Sequence, residues 1–510
     1  MLDKKDHKQF LNNIEKWGCV KKDDNQLFNH YKYSLKYCEI DVEVLQKGYE
    51  KFKIWLFDIT KMNINNYITN ASISDAYIKK NGCYNECYEF SGMIQSFIMR
   101  CICGGRTMTK LNEMYHTEER LNDFDAVSLY PSAMVRMKGF LKGTPKIIKE
   151  NSLYEDIKNY DGYFIKINIT KINKKRNFPL INRKNIEGVR IFDNDLTGIH
   201  YVDKITLEDY IKYQNIEFDI IKGYYFNEGF NNNIIKTISY LFEERQKKKK
   251  EENPIENAYK LMMNSSYGKS IIKPHTNETV VKKAVDFKSY MDNNYNRIKY
   301  YVPIYEKNEI VKYVFKCIKP INDHFNSCHI GCEILAMSKR IMNEVMNLAE
   351  DLDINIYYQD TDSMHIENDK IKLLSNEFKN KYNRELIGEN MGQFNSDFKF
   401  KSDVEPVAVE SYFLGKKCYI DKVELCNKGE ISYDYHIRMK GISSSCINYM
   451  SKTEYENNPM NIYKKLHNEE TIVFNLLADP KSFSYKSNKD FTIKSLTDFK
   501  RKIKFERNKR

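Results

Sequence analysis

Apolar and polar residues alternate through Tyr163-Phe164-Ile165-Lys166-Ile167-Asn168-Ile169, and similar alternation recurs between Asp161 and Phe226. Successive side chains of a strand point to opposite faces, so this stretch predicts strands of an antiparallel sheet with insertions. The period then lengthens. Residues 234–250 predict one helix ending in Arg245-Gln246-Lys247-Lys248-Lys249-Lys250, whose charge suits the negative end of a helix dipole. A second helix is expected from Asn253-Pro254-Ile255-Glu256, which has the form of an N-cap, a first-turn proline and a glutamate closing a capping box. It carries Lys260, Asn264 and Tyr267 at spacings of four and three, hence on one face. Near the start of the chain, Val42, Val44, Leu45 and Tyr49 form the apolar side of another helix. Much later, Ile354-Asn355-Ile356-Tyr357 runs into Tyr358-Gln359-Asp360-Thr361-Asp362-Ser363, an apolar strand meeting a turn. Alternate strand residues share a face, so Asp360 and Asp362 can point together. Asp125 stands at the end of a similar run, Leu121-Asn122-Asp123-Phe124, before a turn expected to break at Pro131.

Carboxylates presented in this way suit divalent metal. Two ions can stabilise both the attacking and the leaving oxygen of a phosphoryl transfer, and hard carboxylate oxygens favour magnesium. An isolated Asp-Thr-Asp is more often a solvated turn, so the weight lies in what accompanies it. Between the two acidic segments lies Lys260-Leu261-Met262-Met263-Asn264-Ser265-Ser266-Tyr267-Gly268. The three blocks DxxSLYPS, KxxxNSxYG and YxDTDS occur in this order, and all 16 of their fixed residues are present.

In these blocks the chain resembles family B DNA polymerases, as their motifs A, B and C. The resemblance implies an α+β right-hand fold: an antiparallel-sheet palm, helical fingers, a small thumb, and a remnant of an RNase H-like exonuclease domain. Asp125 and Asp362 would bridge two Mg2+ ions, with Mn2+ as a substitute, assisted by the Ala126 carbonyl and Asp360. Backbone amides at Ser128 and Leu129 would hold phosphate oxygens, and Tyr130 would pack under the sugar and exclude a 2′-hydroxyl. Lys260, with Arg245 or Lys249, would clamp the triphosphate. Asn264, Tyr267 and Gly268 would line the nascent base pair, while Tyr358 and Thr361 would face the primer terminus. Asp123 has the weaker case, because the motif does not require it.

Shorter segments extend the likeness over residues 31–445. Cys101-Ile102-Cys103-Gly104-Gly105-Arg106 resembles the YxGG template-contacting segment, with Ile102 in place of the tyrosine; Gly104 and Gly105 would let backbone approach a phosphate and Arg106 would add charge. Lys417 and Tyr419 resemble the primer-gripping KxY motif, and Lys440 lies in a segment like the start of a viral thumb. Tyr37 and Asp41 resemble the YxxxD motif of the 3′–5′ exonuclease, but the DxE motif and further acid it requires are not found in residues 1–36. One carboxylate cannot build a two-metal site, so proofreading is expected to be absent from this chain, with a separate polypeptide or a truncated product as explanations. The 135-residue interval between Asp125 and Lys260 leaves room for an inserted subdomain, as in the protein-primed organellar and viral branch.

Composition agrees with this picture. The formal charge is +12 over 510 residues, suiting a polyanionic partner, and the length implies several subdomains. Lys, Asn, Ile and Tyr dominate, as in an AT-rich genome. No apolar run is long enough to span a membrane, no secretory signal opens the chain, and Met1-Leu2-Asp3-Lys4-Lys5-Asp6 is too acidic for a typical transit peptide. The 12 cysteines read as reduced thiols; Cys83, Cys87, Cys101 and Cys103 depart from zinc-binding spacings, and Cys328 and Cys332, beside His324 and His329, fit a helix start.

The expected layout is an exonuclease remnant over 1–90, palm over 91–233 and 271–430 with insertions in each part, fingers over 234–270, and thumb with a basic tail over 431–510. Expected partners are primer-template DNA and deoxynucleoside triphosphates, with a terminal priming protein as a further candidate and no membrane. The setting would be a host cytoplasm, a viral factory or a mitochondrial plasmid system. Two alternatives remain open: another palm-type nucleotidyltransferase, such as a reverse transcriptase or RNA polymerase, and a non-catalytic DNA-binding remnant.

Overall fold

A computed structural model describes residues 4–21, 24–477, 485–487, 493–495 and 499–507. Its centre is a nine-stranded sheet assembled from distant parts of the chain. The strands are β1 (Thr107–Thr109), β2 (Tyr115–Thr117), β3 (Leu121–Ala126), β4 (Ile356–Asp360), β5 (Ser363–Glu367), β6 (Phe394–Ser396), β7 (Val407–Gly415), β8 (Cys418–Asn427) and β9 (Glu430–Met439). Their order is β9-β8-β7-β3-β5-β4-β1, with β6 also on β3 and β2 also on β7. All these pairings are antiparallel. β9 pairs with β8 from Glu430 to Met439, so the sheet continues beyond residue 430.

Beside the sheet stand five principal helices: α1 (His30–Thr60), α2 (Leu129–Arg136), α3 (Asn233–Lys250), α4 (Glu256–Ser265) and α5 (Cys328–Asp351). α5 is buried along nearly its whole length, from Cys328 to Ala349. Its Ile334, Ile341 and Val345 belong to the main core, together with Ile356, Met364 and Ile366 of the sheet and Leu129 and Met134 of α2. Ile238 and Leu241 of α3 and Met262 of α4 join the same core, so the helical pair is anchored to the sheet through α2 and α5. A charge cluster around a buried carboxylate joins these elements: Glu344 on α5 receives both Arg136 of α2 and Arg384.

The two intervals between sheet segments fold into separate sheets. Lys146–Ile148, Gly162–Ile172, Gly198–Asp203 and Ile216–Phe226 make a four-stranded antiparallel sheet, as the alternation predicts. The helix Lys204–Gln214 inside it was not expected; Asp203 caps it by accepting from the Thr206 N–H, and Leu207 and Tyr210 fill the core beneath. Asn277–Lys283, Ile298–Glu306 and Glu309–Ile318 form a three-stranded sheet ahead of α5.

The ends are simpler. α1 is capped by the Asn29 side chain and buries only Leu56, Ile59 and Thr60. Towards the other end, Ser444–Glu454 and Met460–His467 pack on β7, β8 and β9, and Ile472–Asn475 pairs with Lys500–Ile503, so part of the basic tail is a strand.

Candidate active site

The site is built where β3 and the β4–β5 turn meet. β3 and β5 are neighbours with Ser363 opposite Asp125, so the last acid of one strand lies beside the turn that opens the other. That turn is tight: the Asp362 N–H donates to the Asp360 carbonyl at 2.7 Å, and Thr361 sits at φ +61°. Two bonds fix it. The Ala126 N–H donates to the Asp362 carbonyl at 2.8 Å, and the Thr361 N–H donates to the Arg106 carbonyl at 2.9 Å.

Asp125 and Asp362 are both held above the ordinary carboxylate range. Burial, then Asp362, Asp397 and Asp123, push the Asp125 carboxyl from 3.8 up to about 8. Burial also raises Asp362, with Asp360 and Asp397 adding to it. Partly buried carboxylates that disfavour one another's charge are relieved by a divalent cation, and their hard oxygens fit Mg2+. Asp360 differs. Lys417 Nζ lies 2.9 Å from both its oxygens, and the hydroxyls of Thr107 and Tyr358 donate to it at 3.1 and 3.4 Å, so its charge is already matched.

The other wall begins at Ser128, which holds a left-handed conformation at φ +51° and turns the chain into α2. The first N–H groups of a helix lack intrahelical acceptors, so Ser128 and Leu129 stand where such donors collect. Pro131 lies inside the first turn of α2, where its missing N–H costs nothing; it does not break the chain there. Arg245 of α3 reaches the same place, donating to Glu256 at 3.1 Å and to Ser128 Oγ at 3.4 Å. The Tyr130 and Tyr267 rings stack with centroids 4.3 Å apart. Lys260 and Asn264 are exposed on α4, Gly268 opens the short helix that follows, and Lys249 pairs with Glu389 at 3.3 Å.

Several expectations need correction. The capping box before α4 does not form: Asn253 Oδ1 accepts from the Ile255 N–H, α4 begins only at Glu256, and the Glu256 carboxylate holds Arg245 instead. Tyr267 lies beyond the end of α4 rather than on it. Arg106 is no surface cation. It is 3 % exposed and donates to the carbonyls of Phe178 and Pro179 at 2.8 and 3.0 Å and to Gln359, which makes it a strut under the β4–β5 turn. Gly105 packs closely on a side chain: a Cβ there would meet Thr361 Cγ2 at 2.5 Å, whereas Gly104 faces open space. Tyr358 and Tyr419 are buried against one another, with centroids 4.7 Å apart, so neither ring is a surface contact. The Tyr358 hydroxyl accepts the Lys417 N–H at 2.8 Å, tying that loop to the β4–β5 strand pair, and the Lys440 N–H donates to the Lys417 carbonyl at 2.9 Å while the Lys440 side chain is exposed.

Sequence reasoning missed Asp397 and its ion-pair partner Lys399. Asp397 follows β6, its N–H donates to the Asp123 carbonyl at 2.8 Å, and its charge raises both Asp125 and Asp362. Only the pairing of β6 with β3 brings it there, although an acid after Phe394-Asn395-Ser396 was a readable hint. Tyr37 and Asp41 lie apart from this site, exposed on α1. The cysteines disperse: Cys83 sits 3.4 Å from Thr237 Oγ1, while Cys101 packs in another core with Cys328 and Cys332.

Comparison with known proteins places this architecture. Residues 2–352, which include motifs A and B, match the family described as DNA polymerase type B, organellar and viral. The chain belongs to that family. Its structure resembles phi29 DNA polymerase complexed with primer-template DNA and incoming nucleotide substrates, with a TM-score of 0.60 at 16% identity over 97% of this chain and 78% of that one. The phi29 binary complex with primer-template DNA gives a TM-score of 0.53 at 16% identity, over 76% of this chain and 62% of that one. The chain thus spans about three fifths of that relative's length in one comparison and more in the other. No curated protein sequence matches. At this identity the likeness defines the fold alone: a right-hand polymerase fold with a large antiparallel sheet at its centre.

Proposed function

We propose that this protein is a DNA-directed DNA polymerase that adds deoxynucleotides to a primer 3′-hydroxyl by two-metal phosphoryl transfer, in viral or plasmid DNA replication. The observation that carries the reading is the pair Asp125 and Asp362, brought together by adjacent strands with Asp125 pushed up to about 8. Asp125, Asp362 and the Ala126 carbonyl would hold two Mg2+ ions, which supply an acidified 3′-hydroxyl and a neutralised pyrophosphate leaving group. The chain's own groups do the rest. Arg245, beside Ser128, and Lys260 meet the triphosphate, while the Ser128 and Leu129 amides orient it. Tyr130, held by its stack on Tyr267, closes the space where a 2′-hydroxyl would sit. Lys417 has a second role available: a primer phosphate would compete with Asp360 for its ammonium.

α3 and α4 correspond in this reading to the fingers, residues 1–90 to the exonuclease remnant, and the helices after β9 to the thumb. The four-stranded sheet between motifs A and B is the candidate contact for a terminal priming protein. Proofreading is no part of this reading: Asp41 stands exposed on α1, and among the described residues no group of three or more possible metal ligands includes it.

Primer extension tests the proposal. Purified protein with a labelled primer-template, Mg2+ and deoxynucleotides should extend the primer without shortening it, and Asp362→Ala should not extend it. A folded, DNA-binding wild type that extends nothing would support the decayed remnant instead.

A further inference from the structure

One step below the catalytic pair, the sheet holds a second set of metal-ligating side chains that polymerase chemistry does not use. Asp123 on β3 lies directly opposite His365 on β5, and His436 on β9 lies opposite Asp421 on β8. His365 and Asp421 are fully buried, Asp123 is 3 % exposed, and the His436 side chain is 13 % exposed. Asp421 Oδ2 lies 3.1 Å from His365 Nε2 and 3.2 Å from His436 Nδ1, and Ser411 donates to its other oxygen at 2.7 Å. Two atoms are left over. His365 Nδ1 and Asp123 Oδ1 are both buried without a hydrogen-bond partner and lie 3.8 Å apart.

We propose that Asp123, His365 and His436, backed by Asp421, form a structural site for a borderline divalent transition ion such as Zn2+. Each of the three ligands brings an atom within 4.8 Å of the others. A separation of 3.8 Å is too long for a hydrogen bond but near that of two donors to one ion, about 3.3 Å for bonds of ~2.0–2.1 Å. A small contraction of this set therefore makes a site. Asp421 supplies the outer shell, because a ligating histidine commonly keeps its second ring N–H on a carboxylate. Imidazole nitrogens with carboxylate oxygen select zinc-like ions, whereas Mg2+ prefers oxygen donors and retained water. A bound ion would also balance two buried carboxylates and tie β3 and β5 to the β8–β9 hairpin beneath Asp125. The inference does not depend on the polymerase reading.

The test uses the full chain carrying Asp125→Asn and Asp362→Asn, which removes the catalytic carboxylates. After chelation and dialysis, Co2+ is titrated in excess Mg2+ and the visible absorption is read. One equivalent of Co2+ should give the intense bands of a four-coordinate site, and Zn2+ should displace it. Adding His436→Gln, the least buried of the four, should weaken Co2+ binding by at least about tenfold, and Asp123→Asn should do the same. Metal analysis of the native protein purified without chelator gives a reading that needs no variant, and zinc near one equivalent supports the site. Failure of the double variant to bind Co2+ as a four-coordinate ion, or equal binding after His436→Gln and Asp123→Asn, overturns it and leaves a hydrogen-bonded charge network.

Discussion

Asp125→Asn should abolish extension and yet make the metal-free protein more stable. Burial and the neighbouring carboxylates hold Asp125 at about 8 in the folded chain, against 3.8 for the ordinary carboxyl. At pH 7 the unfolded chain therefore loses a proton that the folded chain keeps, which favours unfolding by about 1.4 kcal/mol per pH unit above the ordinary value. That difference is about 4 kcal/mol at pH 7, and partial solvent access trims it to roughly 2–4 kcal/mol. The penalty is nil below pH 4, grows as pH rises to 8, and is constant above. Asparagine removes it. Urea and thermal unfolding in chelator at pH 5, 6, 7 and 8 should show the variant gaining on the wild type as pH rises, by a few degrees in Tm at pH 8. Mg2+ should then narrow the gap, because it binds the wild-type carboxylates. A variant less stable than the wild type at pH 8 in chelator, or a gap that does not change with pH, would refute the argument that burial and the neighbouring carboxylates disfavour charge on Asp125.

Three other perturbations probe the supports. Gly105→Ala drives a Cβ to 2.5 Å from Thr361 Cγ2, and should cost about 1–3 kcal/mol and slow extension; adding Thr361→Ser, which deletes that methyl, should recover part of both in a double-mutant cycle. Tyr130→Ala should raise ribonucleotide incorporation relative to deoxynucleotide by about tenfold or more, read as a ratio of kcat/KM. Glu344→Gln leaves Arg136 and Arg384 without their shared carboxylate and should lower stability by up to about 3 kcal/mol in urea unfolding, since both arginines are partly exposed.

Local chemistry was legible in the chain and long-range geometry was not. The alternation of Tyr163–Ile169 became a strand, and residues 234–250 became α3 within one residue. The three motif blocks singled out Asp125 and Asp362, which neighbouring strands bring together, because each block's spacing is local. Arg106 was misread because a Gly-Gly-Arg segment looks like a phosphate contact until Phe178, Pro179 and Gln359 are folded around it. Tyr358 and Tyr419 were misread for the same reason: their burial depends on β4 and β8 entering one sheet through β7, β3 and β5. Asp397 and the His365–Asp421 pair come from strands far apart in sequence, so no periodicity could join them. The helix Lys204–Gln214 was hidden because its polar positions fall among apolar residues on both sides, Ile205, Leu207, Tyr210 and Tyr213 being buried.

The most direct measurement of the central claim is single-nucleotide incorporation on a primer-template by the wild type, Asp362→Ala and Asp41→Ala, under identical Mg2+ and with folding checked for each. Wild type and Asp41→Ala should incorporate the complementary deoxynucleotide at equal rates, and Asp362→Ala should fall by a factor of about 1,000 or more. Incorporation by Asp362→Ala at a rate near that of the wild type would contradict the assignment of catalysis to the β3–β5 carboxylates.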